Sequence, residues 1–319
     1  MVDPRRFKWP PLLRWSLTLL MLTVLAWILD TDRLIEELTR FSMSALLLAL
    51  LVSVAQVVLS AWRWRYTAQR LGLNLALPTA VREYYLASFL NQCLPGGVIG
   101  DINRAWRHGM DSGQRRASLH AVMIERLSGQ LAMLALALGA GIWLVMVQGY
   151  WLSPPAYRGG DTWLLALVVL ALVIVVVVGA SLWRKCRSYL KALGRDLRRG
   201  LLNLRALPVQ LVTSLLVVAS YLLVFWLLAS SSYHTLSLVQ SITLIALCCL
   251  LLLAMVVPLT VAGWGLREGA AAVLWPLAGL PAEQGVALSV GYGLTVLVSS
   301  LPGSLFVFTG IRTPADAEG

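Results

Sequence analysis

The sequence predicts an all-α, polytopic transmembrane helical bundle, and three observations carry that reading. Of the 319 residues, 59% are hydrophobic and 13% charged, with a mean hydropathy of +0.77, which leaves too little polar surface for a water-soluble globule. Seven apolar runs lie near 12–29, 42–61, 119–147, 162–183, 207–229, 236–257 and 284–310, close to or above the roughly 20 residues that a hydrocarbon core requires. Lys and Arg concentrate in the short connections between runs, so the formal net charge of +11 reports membrane orientation and not nucleic-acid binding.

The first run offers no small-residue cleavage site at Trp27, Ile28 and Leu29 and reads as an uncleaved anchor. Arg5, Arg6, Lys8 and Arg14 precede the end of that run, and Arg63, Arg65 and Arg70 follow the second. Both regions are therefore expected in the cytoplasm, with Asp30, Asp32, Glu36 and Glu37 outside. Residues 94–104, LPGGVIGDINR, then gather a proline, three glycines, an aspartate and an arginine behind the apolar stretch YYLASFLNQC. Proline removes a backbone donor and glycine relaxes the chain, so a helix is expected to break here at or near membrane depth. Arginines on both flanks, up to Arg70 and from Arg104 through Arg107 to Arg115 and Arg116, favour the same side of the membrane, which makes this segment re-entrant.

The third run contains AVMIERLSGQLAML, with Glu125 and Arg126 inside it. Between the fourth and fifth runs, 184–205 carries eight Lys or Arg residues. It reads as a solvated topogenic loop, with a surface helix on anionic headgroups as the alternative. Residues 258–267, PLTVAGWGLR, echo PGGVIGDINR at 95–104, sharing Pro, Val three on, Gly five on and Arg nine on. The echo divides a single membrane domain over 1–319 into repeat halves 12–183 and 207–310, and places a second broken element after the sixth run. Broken helices from two repeats, facing a central site, are a construction of secondary transporters. With the seven crossings they make about eight membrane segments, the path of 258–281 remaining open.

Charged residues inside apolar segments are costly and face a bundle interior or a wet cavity. Glu125 and Arg126 are adjacent, about 100° apart on a helix, so each needs a partner elsewhere; Asp101 and Arg104, three apart, share a face if a helix resumes after the break. One reading is that these charges, with Arg267 and Glu268, neutralise one another and fix packing. The other is that Arg104, Arg126 and Arg267 present planar guanidiniums to the phosphate of an anionic lipid headgroup. Asn91 and Gln92, beside the first break, either satisfy freed backbone groups or touch a headgroup. Trp62, Trp64, Tyr84 and Tyr85 read as interface anchors. His108, His120 and His234 are scattered, and Cys93, Cys186, Cys248 and Cys249 form no disulfide or metal pattern. With no nucleotide loop or nucleophile set either, the expectation is a non-enzyme with no catalytic residue, metal or cofactor.

NQCLPGGVIGDINRAW, AVMIERLSGQLAML and VAGWGLREGA, in that order, resemble signatures of the flippase-like membrane region of lysylphosphatidylglycerol synthases and their stand-alone relatives, over about 40–310. The resemblance implies substrate contacts at Pro95, Gly96, Gly97, Gly100, Asp101 and Arg104, at Glu125 and Arg126, and at Gly265, Arg267 and Glu268, with Asn91 added from its position. Ile99 stands where the resemblance would place a glycine. The family's synthases continue into a large soluble transfer domain, whereas this sequence ends at Gly319, so a stand-alone member is expected. What the resemblance implies is a flippase-like transporter of an anionic phospholipid or isoprenoid-linked lipid in a bacterial inner membrane, N-terminus cytoplasmic. An ion gradient or the lipid gradient alone would drive it. The alternative is a non-transporting lipid-binding or scaffold protein docking partners in envelope glycolipid biosynthesis.

Overall fold

The computed structural model describes residues 11–95, 97–148, 187–232, 237–255 and 260–307, and their regular structure is helical. The elements are α1 (Pro11–Ile28), α2 (Thr31–Thr39), α3 (Met43–Arg70), α4 (Leu77–Cys93), α5 (Ile99–Asp111), α6 (Arg115–Gln148), α7 (Arg187–Gly200), α8 (Leu207–Ser232), α9 (Leu238–Ala254), α10 (Leu266–Leu277) and α11 (Ala282–Ser300), followed by a 3-10 turn at Leu301–Phe306. Among the described residues, four helical stretches, 43–70, 115–144, 207–231 and 282–306, are long and apolar enough to cross a membrane. The first apolar run is one limb of a pair, α1 and α2, bent by 101°. The sixth is the 17-residue α9, shorter than a full crossing. The fourth, 162–183, lies outside the described residues.

The bend between α1 and α2 follows from local chemistry. Asp30 is extended and its carboxylate accepts from the backbone of Asp32 and Arg33, an N-cap that starts a new helix instead of continuing the old one. Ser42 caps α3 in the same way, and Ser237 with Gln240 forms a capping box at α9.

Helices α4 and α5 fold back on each other. Glu83 pairs with Arg107, Gly100 seats against Ala87, and Asn91 meets Gly100 and Asp101, a register in which one number falls as the other rises. The hairpin closes tightly because a Cβ at position 100 would lie 2.0 Å from the Ala87 carbonyl oxygen, so only glycine fits without parting the two helices. Its open end lies with the end of α3 and the start of α6. Arg70 donates to the Arg199 carbonyl of α7, and Arg115 and Arg199 line one cleft.

The second broken segment enters from the other end. Gln210, near the start of α8, bonds to Thr67 and Gly200 at the basic end. The 26 residues of α8 then carry the chain about 39 Å away, and α9 starts there. Met255, after α9, packs against Gly263 and Arg267. Helix α10 then runs antiparallel to α11, Trp275 against Gly285 and Arg267 against Gly293. The two breaks meet: the Pro95 and Val261 backbones pair as an antiparallel β-bridge, and the Val261 amide donates to Thr18 Oγ1, 3.1 Å away in the middle of α1. The open path of 258–281 is thus settled for 260–281, while 256–259 lie outside the described residues.

The main apolar core lies on the far side of this junction, among α6, α8, α9, α10 and α11. Phe225 and Tyr292 stack there at 4.1 Å, and Trp275 is fully buried.

Candidate functional site

Four helices converge on Glu125. Its carboxylate, fully buried, pairs with Arg63 of α3 and with Arg104 of α5, whose Nη2 lies 2.7 Å from Oε2. Arg104 Nε also donates to Asp101 at 2.9 Å, and the guanidinium sits 4.7 Å from the Trp64 ring and 4.5 Å from that of Tyr84. The same Asp101 accepts from Asn91 at 3.0 Å and pairs with Arg126. Three guanidiniums therefore face two carboxylates. Arg63 and Arg104 are buried, whereas the Arg126 side chain retains 43% of its exposure. The cluster carries one net positive charge, and Arg126, paired with Asp101, is its partly exposed guanidinium.

A second cluster repeats part of this plan at the other break. Arg267 Nη2 lies 2.7 Å from Glu268, its Nε donates to Ser289 at 2.7 Å, and Ser289 donates to Glu268 at 2.8 Å. The other oxygen of Glu268 accepts from the Gly265 amide at 2.6 Å, and the left-handed φ of +85° at Gly265 makes the turn that allows it. Like Arg104, Arg267 lies over two aromatic rings, those of Trp264 at 5.1 Å and Tyr292 at 5.3 Å. The echo Arg104/Arg267 thus extends from spacing to environment: each arginine follows a break, is buried against acid and is flanked by aromatics.

Between the breaks lies a cavity of about 480 Å³. Asp101, Arg126, Tyr84 and Tyr221 give it a polar wall, and Gly97 and Val98 from one break face Thr260, Ala262 and Gly263 from the other. Towards α5 and α6 the lining becomes Ile102, Leu119 and Met123, all exposed on the protein surface. One region therefore offers a partly exposed cation and hydrogen-bonding groups, and the adjoining groove is apolar and open to the side.

Of the residues singled out from the sequence, Asn91, Gly97, Asp101, Glu125 and Arg126 line this cavity. Arg104, Arg267 and Glu268 are packed behind it, and Pro95, Gly100 and Gly265 shape the breaks. Gly96 lies outside the described residues. Gly97 has φ +61° with nothing within 4 Å of its would-be Cβ, so its backbone conformation, and not crowding, calls for glycine; the close approach belongs to Gly100.

Three linear readings need correction. Arg63 is buried in an ion pair with Glu125 and is not a solvated topogenic charge, Trp64 is fully buried under Arg104, and Tyr84 lines the cavity against Arg104, so neither aromatic is an interface anchor. Arg63, Tyr221 and Tyr292 belong to the site although no motif marks them.

The family model for the lysylphosphatidylglycerol synthase TM region matches residues 13–303. The chain belongs to that family and is a multi-pass membrane protein tied to lipid handling. Comparison with curated proteins gives no match.

Proposed function

Starting from that membership, we propose that the chain is a flippase-like carrier for an anionic lipid. The phosphate would be held at Arg126 in the cavity between the two broken helices, and the acyl chains would leave through the α5–α6 groove. The observation that carries this reading is the union, in one cavity, of a partly exposed guanidinium from a charge cluster of net positive charge with an apolar side opening. An amphiphile needs both, and a purely structural charge cluster needs neither. The two break tips that meet at Pro95 and Val261, each followed by a buried arginine set against acid and aromatic rings, support this reading, because secondary transporters place their central sites at such paired broken helices. The lipid is an anionic phospholipid or an isoprenoid-linked phosphate, and the chemistry is binding and movement without a covalent step. The second reading, a lipid-holding protein that does not transport, draws on the same cavity.

The assay is leaflet exchange of fluorescent phosphatidylglycerol in proteoliposomes. Accelerated exchange that follows the amount of protein is expected; lipid binding without exchange would favour the holding role.

The bundle end that bears Arg70, Arg115 and Arg199 is assigned to the cytoplasm by its positive charge. Single cysteines at 70 and 115 should label from that side and a cysteine at 34 from the other, and labelling of 70 and 115 from opposite faces would contradict the assignment.

A further inference from the structure

A second concave site lies at the basic end, away from the central cavity. It is a cleft of about 450 Å³ between the first turn of α6 and one face of α7, lined by Arg115, Arg116, Arg195 and Arg199 with Ala192 and Asp196. All four arginines are exposed, and none forms an ion pair among the described residues. Asp196, the acid in the lining, is engaged by His120, whose Nδ1 lies 2.6 Å from Oδ2. Two of the guanidiniums are held in place by stacking: Arg115 lies 5.0 Å over the Trp106 ring and Arg116 5.5 Å over that of Tyr189. Stacking uses the guanidinium face and leaves its N–H edge available.

We infer that this cleft is an anion site for a phosphate-bearing ligand, distinct from the headgroup position at Arg126. Orientation in the membrane demands positive charge at this end but does not demand its shape. Loose topogenic arginines would splay into water, away from one another. Here four converge on one hollow, the single acid in its lining has one oxygen held by a histidine and is outnumbered by the guanidiniums, and two of these lie over aromatic rings. Holding like charges together without an anion opposes their mutual repulsion, and a phosphate with several acceptor oxygens relieves it through charge-assisted, forked hydrogen bonds. Residues 113–117, at the N-terminal end of α6, line the same hollow, and the positive end of the helix dipole adds to its potential.

The phosphate can come from a lipid headgroup at the bilayer surface or from a soluble phosphate compound. Leu202 and Leu204, just beyond α7 and 60% and 88% exposed, provide apolar points that follow this basic helix, as in an interfacial helix that lies on anionic lipid. The inference does not depend on transport through the central cavity.

The test uses the full chain in phosphatidylcholine nanodiscs titrated with inorganic pyrophosphate. Saturable binding is expected, weakened by about tenfold or more, the equivalent of roughly 1.4 kcal/mol, in the double variant Arg195→Gln/Arg199→Gln. In an Arg126→Gln background, which removes the central headgroup position, the same double variant should weaken pyrophosphate binding to the same extent. The control Arg198→Gln/Arg205→Gln removes the same charge from the same end but outside the cleft, and should have little effect.

Mixed nanodiscs separate the two sources. If Arg195→Gln/Arg199→Gln also abolishes enrichment of phosphatidylglycerol around the protein, the occupant is a lipid headgroup. If that enrichment is unchanged while pyrophosphate binding is lost, the occupant is a soluble phosphate. Unsaturable pyrophosphate binding, or equal loss in the control pair, would overturn the site and leave only diffuse positive charge.

Discussion

Glu125→Ala is expected to cost about 3–5 kcal/mol of stability, the range for breaking a buried ion pair from one side. The carboxylate is the shared partner of Arg63 and Arg104, so its loss leaves two buried guanidiniums facing each other with only Asp101 nearby. Glu125→Gln should be nearly as damaging, because the amide keeps the volume but not the charge. The double variant Glu125→Gln/Arg63→Gln should recover part of the loss by removing one of the stranded cations. Thermal melting in detergent checks all three. A Glu125→Ala protein that melts with the wild type would show that the cluster does not hold α3, α5 and α6 together.

Arg126 should behave in the opposite way. Its partner Asp101 keeps Arg104 and Asn91 when Arg126 is gone, so Arg126→Gln strands no charge, and a stability change below about 1 kcal/mol is expected. Lipid handling should collapse instead. Arg126→Lys retains the charge but loses the planar fork that matches a phosphate, and leaflet exchange should fall by about tenfold, with Arg126→Gln lower still. Adjacent residues on one helix thus divide the labour: Glu125 faces the packed arginines, and Arg126, about 100° round the helix, faces the cavity. A large stability loss with normal exchange in Arg126→Gln would assign it to packing.

The parts of this arrangement that were legible in the sequence are those in which a residue violates its local setting. Pro95 with its glycines cannot continue a membrane helix, and Glu125 and Arg126 cannot face lipid, so the first break and the charge site could be read directly. The Arg104/Arg267 echo was visible because the two breaks solve the same backbone problem with similar residues.

Arg63 was hidden because it lies near Arg65 and Arg70 at the end of an apolar run, where a topogenic arginine is expected. Only the packing of α3 against α6 brings it to Glu125, 62 residues away. Tyr221 and Tyr292 sit in apolar runs whose pattern does not distinguish a cavity wall from a core or from lipid. The antiparallel meeting of Pro95 with Val261 is a long-range pairing that no local periodicity encodes.

The central claim, that the cavity holds an anionic headgroup at Arg126, is tested most directly by photo-crosslinking. Phosphatidylglycerol carrying a photoreactive group beside its phosphate would be reconstituted with the full chain and the adducts mapped by peptide sequencing. The account predicts adducts on cavity residues of α4 and α6, such as Tyr84 and Gln130. They should be lost in Arg126→Gln and kept in Arg195→Gln/Arg199→Gln. Adducts confined to the outer, lipid-facing surface, or cavity adducts indifferent to Arg126, would contradict it.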